Sequence, residues 1–341
     1  MSADKSKRLL WRIPFLAFLI IGTVLIIRQQ QTIPYQHNTG FIFGTIFNIT
    51  YQNDDDLNNE IVDELNKVDA SLSIFNKESI ISKINRNVDV MPNEMFKEVF
   101  SLAENISMET DGAFDITVAP MVNEWGFGFK KGVPPTKLII DSLKTIVGYK
   151  KVKLENDRIK KSDSRIMLDC SAIAKGYGCD AVARYLRTKG IKNFMIEIGG
   201  EIVTSGINDK RVPWRIGITK PTDGSLNVNE EIQTVLSITD RSIATSGNYR
   251  NFYYKGGRKY AHTIDPKTGY PVQHNILSST VIASNCATAD AYATSFMVLG
   301  LDGAQKILKK HPELMVYFIY SGKNGKNKVW YSSSMKGKII N

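Results

Sequence analysis

Asn193–Gly206 reads NFMIEIGGEIVTSG. On both sides of the glycine pair the runs are short and rich in β-forming residues, as strands are. Gly199-Gly200 between two such runs is the sequence of a tight turn, and a tight turn joins antiparallel strands. Short β-rich runs punctuated by Gly or Pro recur at 214–221 (WRIGITKP) and 235–247 (VLSITDRSIATSG), and 41–51 (FIFGTIFNITY) reads as another hairpin. Helical spacing separates them. Leu57, Ile61, Leu65 and Val68 recur one turn apart, as do Phe96, Val99, Ala103 and Ile106. Further helices are predicted over Ala172–Leu186, over Thr288–Leu299 and over Ala304–Lys309. Helices mixed irregularly with antiparallel strands fit an α+β fold better than a doubly wound sheet.

The 341 residues are 43% apolar and 23% charged, the balance of a folded protein, and their number alone suggests two domains. Net charge is +10, spread over Lys150-Lys151, Lys160-Lys161, Lys309-Lys310 and the tail from Lys323 to Lys338. Scattered charge of this kind describes a solvated surface or a mild attraction for anions, and no nucleic-acid-binding motif accompanies it. Cys170, Cys179 and Cys286 are the only cysteines. Their odd number and their apolar or small neighbours predict buried free thiols.

Residues 1–12 carry Lys5, Lys7, Arg8 and Arg12, and Ile13–Ile27 is free of charge and mostly apolar. The run becomes nineteen residues from Leu9 if Arg12 snorkels, which is close to a membrane span. Basic residues ahead of it keep the tail cytoplasmic and send the rest across. Arg28-Gln29-Gln30-Gln31 follows without a small-x-small cleavage site, so an uncleaved anchor is expected over residues 13–27 rather than a signal peptide. No cysteine lies nearby for lipid attachment. Residues 28–40 read as a polar linker, and the main folded domain is expected over 41–337.

Several stretches carry side chains suited to chemistry. Asp290 and Thr294 lie four apart among alanines, on one helical face, a hard-oxygen pair suited to Mg²⁺. The same residues also fit a helix-dipole partner and a back-bonded threonine. Leu168–Tyr177 (LDCSAIAKGY) suggests a strand ending at Asp169 and a helix opening near Ser171. Asp169 then fits an N-cap, and the amides with Lys175 fit an anion site. Gly112–Pro120 and Asn123–Phe127 crowd aromatics around Asp115, either to hold a flat heteroaromatic ligand or to fill a core. Lys259–Pro271 (KYAHTIDPKTGYP) puts His262, one of four histidines, on a predicted strand face with Tyr260 and Ile264. A packed histidine and a general base are both consistent with that position.

Taken in order, FGT (43–45), GAFDITVAP…WGFG (112–128), LDCSAIAKGY (168–177), EIGGEI (197–202), ATSGNYRNFY (244–253), HTIDPKTGYP (262–271) and ADAYATSFMVLG (289–300) resemble the ApbE-like family of FAD:protein FMN transferases. The resemblance spans residues 41 to about 335. It implies one α+β catalytic unit of two lobes with FAD in the cleft between them, in place of the two domains suggested by length. It also implies Mg²⁺-dependent cleavage of FAD, with FMN joined through its phosphate to a threonine or serine hydroxyl of a target protein and AMP released. The targets implied are subunits of membrane redox complexes or other exported flavoproteins.

Carried over residue by residue, the resemblance implies Mg²⁺ ligation by Asp290, Thr294 and backbone carbonyls at Ala172 and Ala293. Phe43 stands where a Met is common, and Phe75 where a Tyr is common; both would contact FAD. Ala113, Phe114 and Asp115 would line the nucleotide site, with Asp169, Lys175 and Ile264 nearby, and His262 would be the base. A transmembrane anchor in place of the lipid-bearing cysteine of many relatives would hold the enzyme at the inner membrane as a single-pass protein, its catalytic domain on the periplasmic side. Hydrolysis of FAD to FMN and AMP at the same site, and non-catalytic flavin binding, are the rival readings.

Overall fold

The turn at Gly199-Gly200 joins β5 (Phe194–Ile198) to β6 (Glu201–Ser205) antiparallel, and both glycines have positive φ, 60° and 100°. These strands sit inside an eight-stranded sheet of order β1-β2-β5-β6-β9-β12-β13-β14, in which every pairing is antiparallel. The remaining members are β1 (Tyr35–Ile42), β2 (Thr45–Gln52), β9 (Arg241–Gly247), β12 (Ile276–Ala283), β13 (Met315–Ser321) and β14 (Asn327–Tyr331). The computed structural model describes residues 14–23, 33–129, 134–221, 231–249, 251–322 and 326–340.

Both faces of the sheet are covered. On one side lie α2 (Asn58–Leu72), α4 (Glu94–Glu109), α7 (Ala174–Thr188) and α8 (Cys286–Leu308). On the other, a small antiparallel sheet of β7 (Trp214–Thr219), β8 (Ile232–Ile238) and β15 (Ile339–Ile340) packs Trp214, Ile216 and Leu236 against Ile243, Ile282 and Tyr317. Neighbouring residues face opposite ways: Ala244, Val281 and Phe318 join the helical core, while Ile243, Ile282 and Ile319 join the second. This explains why β12 is buried almost throughout rather than alternating. Each fully buried aliphatic or aromatic side chain contributes roughly 1.5–3 kcal/mol.

A smaller core lies to one side, built by Met121, Trp125, Ile140, Val147 and Ile264 from α5 (Ala119–Glu124), α6 (Lys137–Lys144) and the loop after β11. Against it leans a free-standing hairpin, β10 (Phe252–Lys255) with β11 (Arg258–Ala261). Rings run in series from Phe127 to Tyr253, Tyr260 and Trp125, each stacked on the next at 5.3–5.5 Å between centroids.

Three sequence expectations change. Residues 35–40 are not linker but most of β1, whose Asn38 is buried through a bond to Asp56. The stretch before Asp169 is extended without being a strand. Asp169 N–H donates to the Ile116 carbonyl, and Leu168 is held by the Asn85 side chain. The strand approaching His262 stops at Ala261, and Ala261, Thr263 and Ile264 are all buried, so the expected alternation fails there. The two expected C-terminal helices are both present within α8, separated by a kink at the non-helical Gly300, φ 69°. Residues 14–23 are helical (α1) and expose Phe15, Leu16, Phe18 and Ile21. Among the described residues no helix is long and apolar enough to cross a membrane. Residues 1–13 and 24–32, with the whole expected tail, the rest of the expected anchor and the start of the expected linker, lie outside the described residues.

Candidate active site

The site forms where α7 and α8 meet. Gly176 makes the approach possible: a Cβ there would lie 2.4 Å from the Cys286 carbonyl oxygen. Asp180, one turn later on α7, accepts the backbone N–H groups of Cys286 and Ala287, each at 2.8 Å, and so caps the first turn of α8. Burial pushes the Asp180 carboxyl up to about 6, against the pull of those two N–H groups. In return, Gly176 N–H donates to Asp290 Oδ2 at 3.1 Å.

That bond has a second consequence. Gly176 N–H is the donor a regular helix would give to the Ala172 carbonyl four residues back. With it turned to Asp290, no hydrogen bond to the Ala172 carbonyl is found among the described residues. The Ala172 carbonyl is thereby left without its helical donor. Thr294, one turn beyond Asp290, shares a hydrogen bond with Ser246 at 3.0 Å.

Lys175 and Glu201 complete the cluster. Glu201, at the first position of β6, keeps only 3% of its side chain exposed, and its Oε1 accepts from Lys175 Nζ at 2.5 Å. Its Oε2 is buried and has no hydrogen-bond partner. Burial pushes Glu201 up, Lys175 opposes this, and the charge of Asp290 adds to it. Burial would lower Lys175, but Glu201 and Asp290 outweigh it and hold the ammonium charged. Asp290 is pushed up by burial and restrained by Lys175 and the Gly176 N–H.

His262 enters from the hairpin side. Its Nδ1 lies 3.1 Å from the Asn251 carbonyl, which can only accept, so Nδ1 carries the proton and Nε2 keeps a lone pair. Its own N–H donates to the same carbonyl, and Phe127 meets its ring edge-on at 6.3 Å. Burial lowers its pKa, and Lys175 is near enough to lower it further. Lys175, bound to Glu201, is thus the member of the cluster whose charge reaches His262.

Other predicted residues are placed differently. Asp115 is consumed by the local backbone, accepting from Thr117 N–H and Oγ1–H and from Tyr149 N–H. Asp169 accepts from Ser171 N–H rather than capping α7, which starts after Ile173. Phe114 and Ile264 are in the two cores, and Ala113 and Ala293 are buried, so they can present only backbone to a ligand. Phe43 holds a left-handed turn position (φ 52°) before Gly44, and its ring lies where a Cβ on Gly178 would stand 2.6 Å away. Phe75 is 73% exposed and meets the 57% exposed Phe129 edge-on at 5.3 Å. Asp180 and Glu201 were not singled out by sequence. Glu201 lay in view inside EIGGEI, whereas nothing local marks Asp180, whose partners are more than a hundred residues away.

The residues present fit a hard divalent cation. Asp290 carboxylate, Thr294 hydroxyl and the Ala172 carbonyl are all oxygen donors, and an orphaned carboxylate oxygen lies alongside. Among the described residues no group of three or more His, Cys, Asp or Glu side chains could hold a metal, so a cation here would rely on hydroxyl and carbonyl oxygens as well.

Comparison with known proteins identifies relatives along most of the chain. The ApbE family model matches residues 43–318. A Vibrio cholerae FAD:protein FMN transferase is 36% identical over 293 residues, 82% of this chain and 86% of its own length. The Escherichia coli K12 protein of the same name is 34% identical, over 84% and 82% respectively. The structure of the Vibrio cholerae flavin transferase ApbE superposes with a TM-score of 0.79 at 35% identity, covering 89% of this chain and 98% of that one. The apo Pseudomonas stutzeri flavinyl transferase ApbE gives 0.80 at 26% identity, with 91% and 98% covered. With most of its length and its α+β architecture matched, the chain belongs to the ApbE family.

Proposed function

We propose that this protein is an FAD:protein FMN transferase. The observation that carries the reading is the shared neighbourhood of His262 and the Lys175–Glu201–Asp290 cluster: a lone-pair nitrogen stands within the field of a cation held beside a carboxylate. Flavin storage has no use for that pairing; transfer to an alcohol does.

In this reading FAD lies between the main core and the smaller α5–α6 core, with Phe43 and the Phe75–Phe129 pair against its rings. Ala113, Phe114, Asp115, Asp169 and Ile264 shape the wall through backbone and buried bulk. Asp290, Thr294 and the Ala172 carbonyl, with Ala293, would hold Mg²⁺, which when bound neutralises charge on the diphosphate. Lys175 faces the same diphosphate with 30% of its side chain exposed. The acceptor threonine or serine hydroxyl attacks the flavin-side phosphorus. A new P–O bond forms, the bond to AMP breaks, and the hydroxyl proton passes to His262 Nε2. Alcohol attack needs positioning and proton removal more than a strong nucleophile.

We place the enzyme at the cytoplasmic membrane, anchored through residues 13–27, with its catalytic domain on the extracytoplasmic side beside exported flavoprotein subunits. Intact-mass analysis of such a subunit after incubation with FAD and Mg²⁺ tests the function. A gain of one FMN that vanishes when the acceptor threonine is replaced supports transfer. Release of FMN and AMP with every tested subunit unmodified would overturn it in favour of hydrolysis.

A further inference from the structure

Glu201 is the buried group the mechanism above does not use. It lies behind Lys175, away from solvent, with one oxygen bound to the ammonium and the other unpartnered. A buried carboxylate oxygen left without any donor is costly, so such an atom calls for a further positive group. The chain's own charges do not supply one. Glu201 binds Lys175, and the amide of the next residue, Gly176, binds Asp290, so two buried carboxylates gather around a single ammonium.

We infer that Glu201 is a positioning residue for the cation at Asp290: it supplies the second negative charge of the seat and fixes Lys175 as the counter-charge that keeps the empty seat from being over-attractive. The inference rests on reading Asp290 as a cation ligand. Glu201 and Lys175 therefore act on cation affinity in opposite directions. Removing the negative charge weakens binding. Removing the positive charge strengthens it. A residue that only anchored a lysine structurally would not produce this opposition.

The test is Mn²⁺ titration of the full-length protein in mild detergent, followed by electron paramagnetic resonance, with thermal unfolding measured alongside. Glu201→Gln, which keeps the shape and one acceptor for Lys175, is expected to weaken Mn²⁺ binding about tenfold or more. Lys175→Met is expected to tighten it by a similar factor, about tenfold, and to show a larger Mn²⁺-induced rise in Tm than the wild type. The double variant is expected to return near the wild-type affinity. Wild-type-like affinity in both single variants, with the wild type binding normally, would overturn the inference alone. Should Glu201→Gln fail to fold, an unchanged affinity in Lys175→Met would overturn it equally. No Mn²⁺ binding by the wild type, with or without FAD, would remove the metal reading and this inference together.

Discussion

Gly176 and Asp290 are bound across the α7–α8 junction, backbone N–H to carboxylate at 3.1 Å, and a side chain on Gly176 would collide with the Cys286 carbonyl. The spacing of two helices and the aim of one carboxylate are thus the same variable. Gly176→Ala cannot be absorbed by a flexible side chain, because the obstructing atom is backbone. It is expected to destabilise the fold by about 1–3 kcal/mol and to raise the Mg²⁺ concentration needed for half-maximal rate. Urea unfolding and a Mg²⁺ titration of the rate measure both; unchanged stability would show that the junction relaxes freely.

Asp290→Asn keeps an acceptor for the Gly176 N–H but removes the charge. Transfer should fall by about a hundredfold or more, with the far-ultraviolet circular dichroism of the wild type. Chelation of divalent cations should abolish wild-type activity, and added Mg²⁺ should restore it. A variant with full activity and ordinary metal demand would refute the ligand assignment.

For His262→Ala, transfer is expected to drop by roughly 10²–10⁴ while FAD still binds. Burial and Lys175 lower the histidine's pKa, so the basic form persists below the ordinary value of about 6.5. The wild-type rate should therefore be level at neutral pH and decline only as acid protonates Nε2. The sign for stability is the same: the unfolded chain binds this proton more readily, so the contribution of His262 to stability is lost as pH falls. A decline centred above the ordinary value would contradict the burial seen here.

Phe75 lies on the surface, so Phe75→Ala should change folding stability by no more than about 0.5 kcal/mol. If its ring and that of Phe129 receive FAD, KM for FAD should rise by about two- to tenfold with kcat largely kept. An unaltered KM would move the flavin elsewhere.

Much of this architecture could be read from residue spacing. Leu57, Ile61, Leu65 and Val68 mark α2, and the glycine pair marks the β5–β6 turn, because these elements bury one face and have local turn chemistry. β1 escaped since it is an edge strand: its outward His37 and Thr39 are polar, and its buried Asn38 donates through Nδ2 to Asp56, which no periodicity reveals. The strand expected to carry His262 fails for a related reason. Beyond Ala261 the chain turns into a loop closed by Thr263, Asn248 and the Ile264–Pro271 bridge, so burial there follows tertiary contacts rather than a period of two. Asp290 and Thr294 were legible as an oxygen pair. What freed the Ala172 carbonyl beside them was not, because that depends on where a distant amide points.

The hairpin β10–β11 shares no ladder with the large sheet, and it leans on the smaller core through stacked rings. His262 follows directly from its second strand, whereas Asp290, Glu201 and Lys175 are built into the helices and the central strands. In the proposed mechanism, proton handling and charge handling therefore reside on separate pieces of chain. Lengthening, shortening or re-sequencing the hairpin tip at Gly256-Gly257 would leave the Gly176–Asp290 bond at the α7–α8 junction untouched.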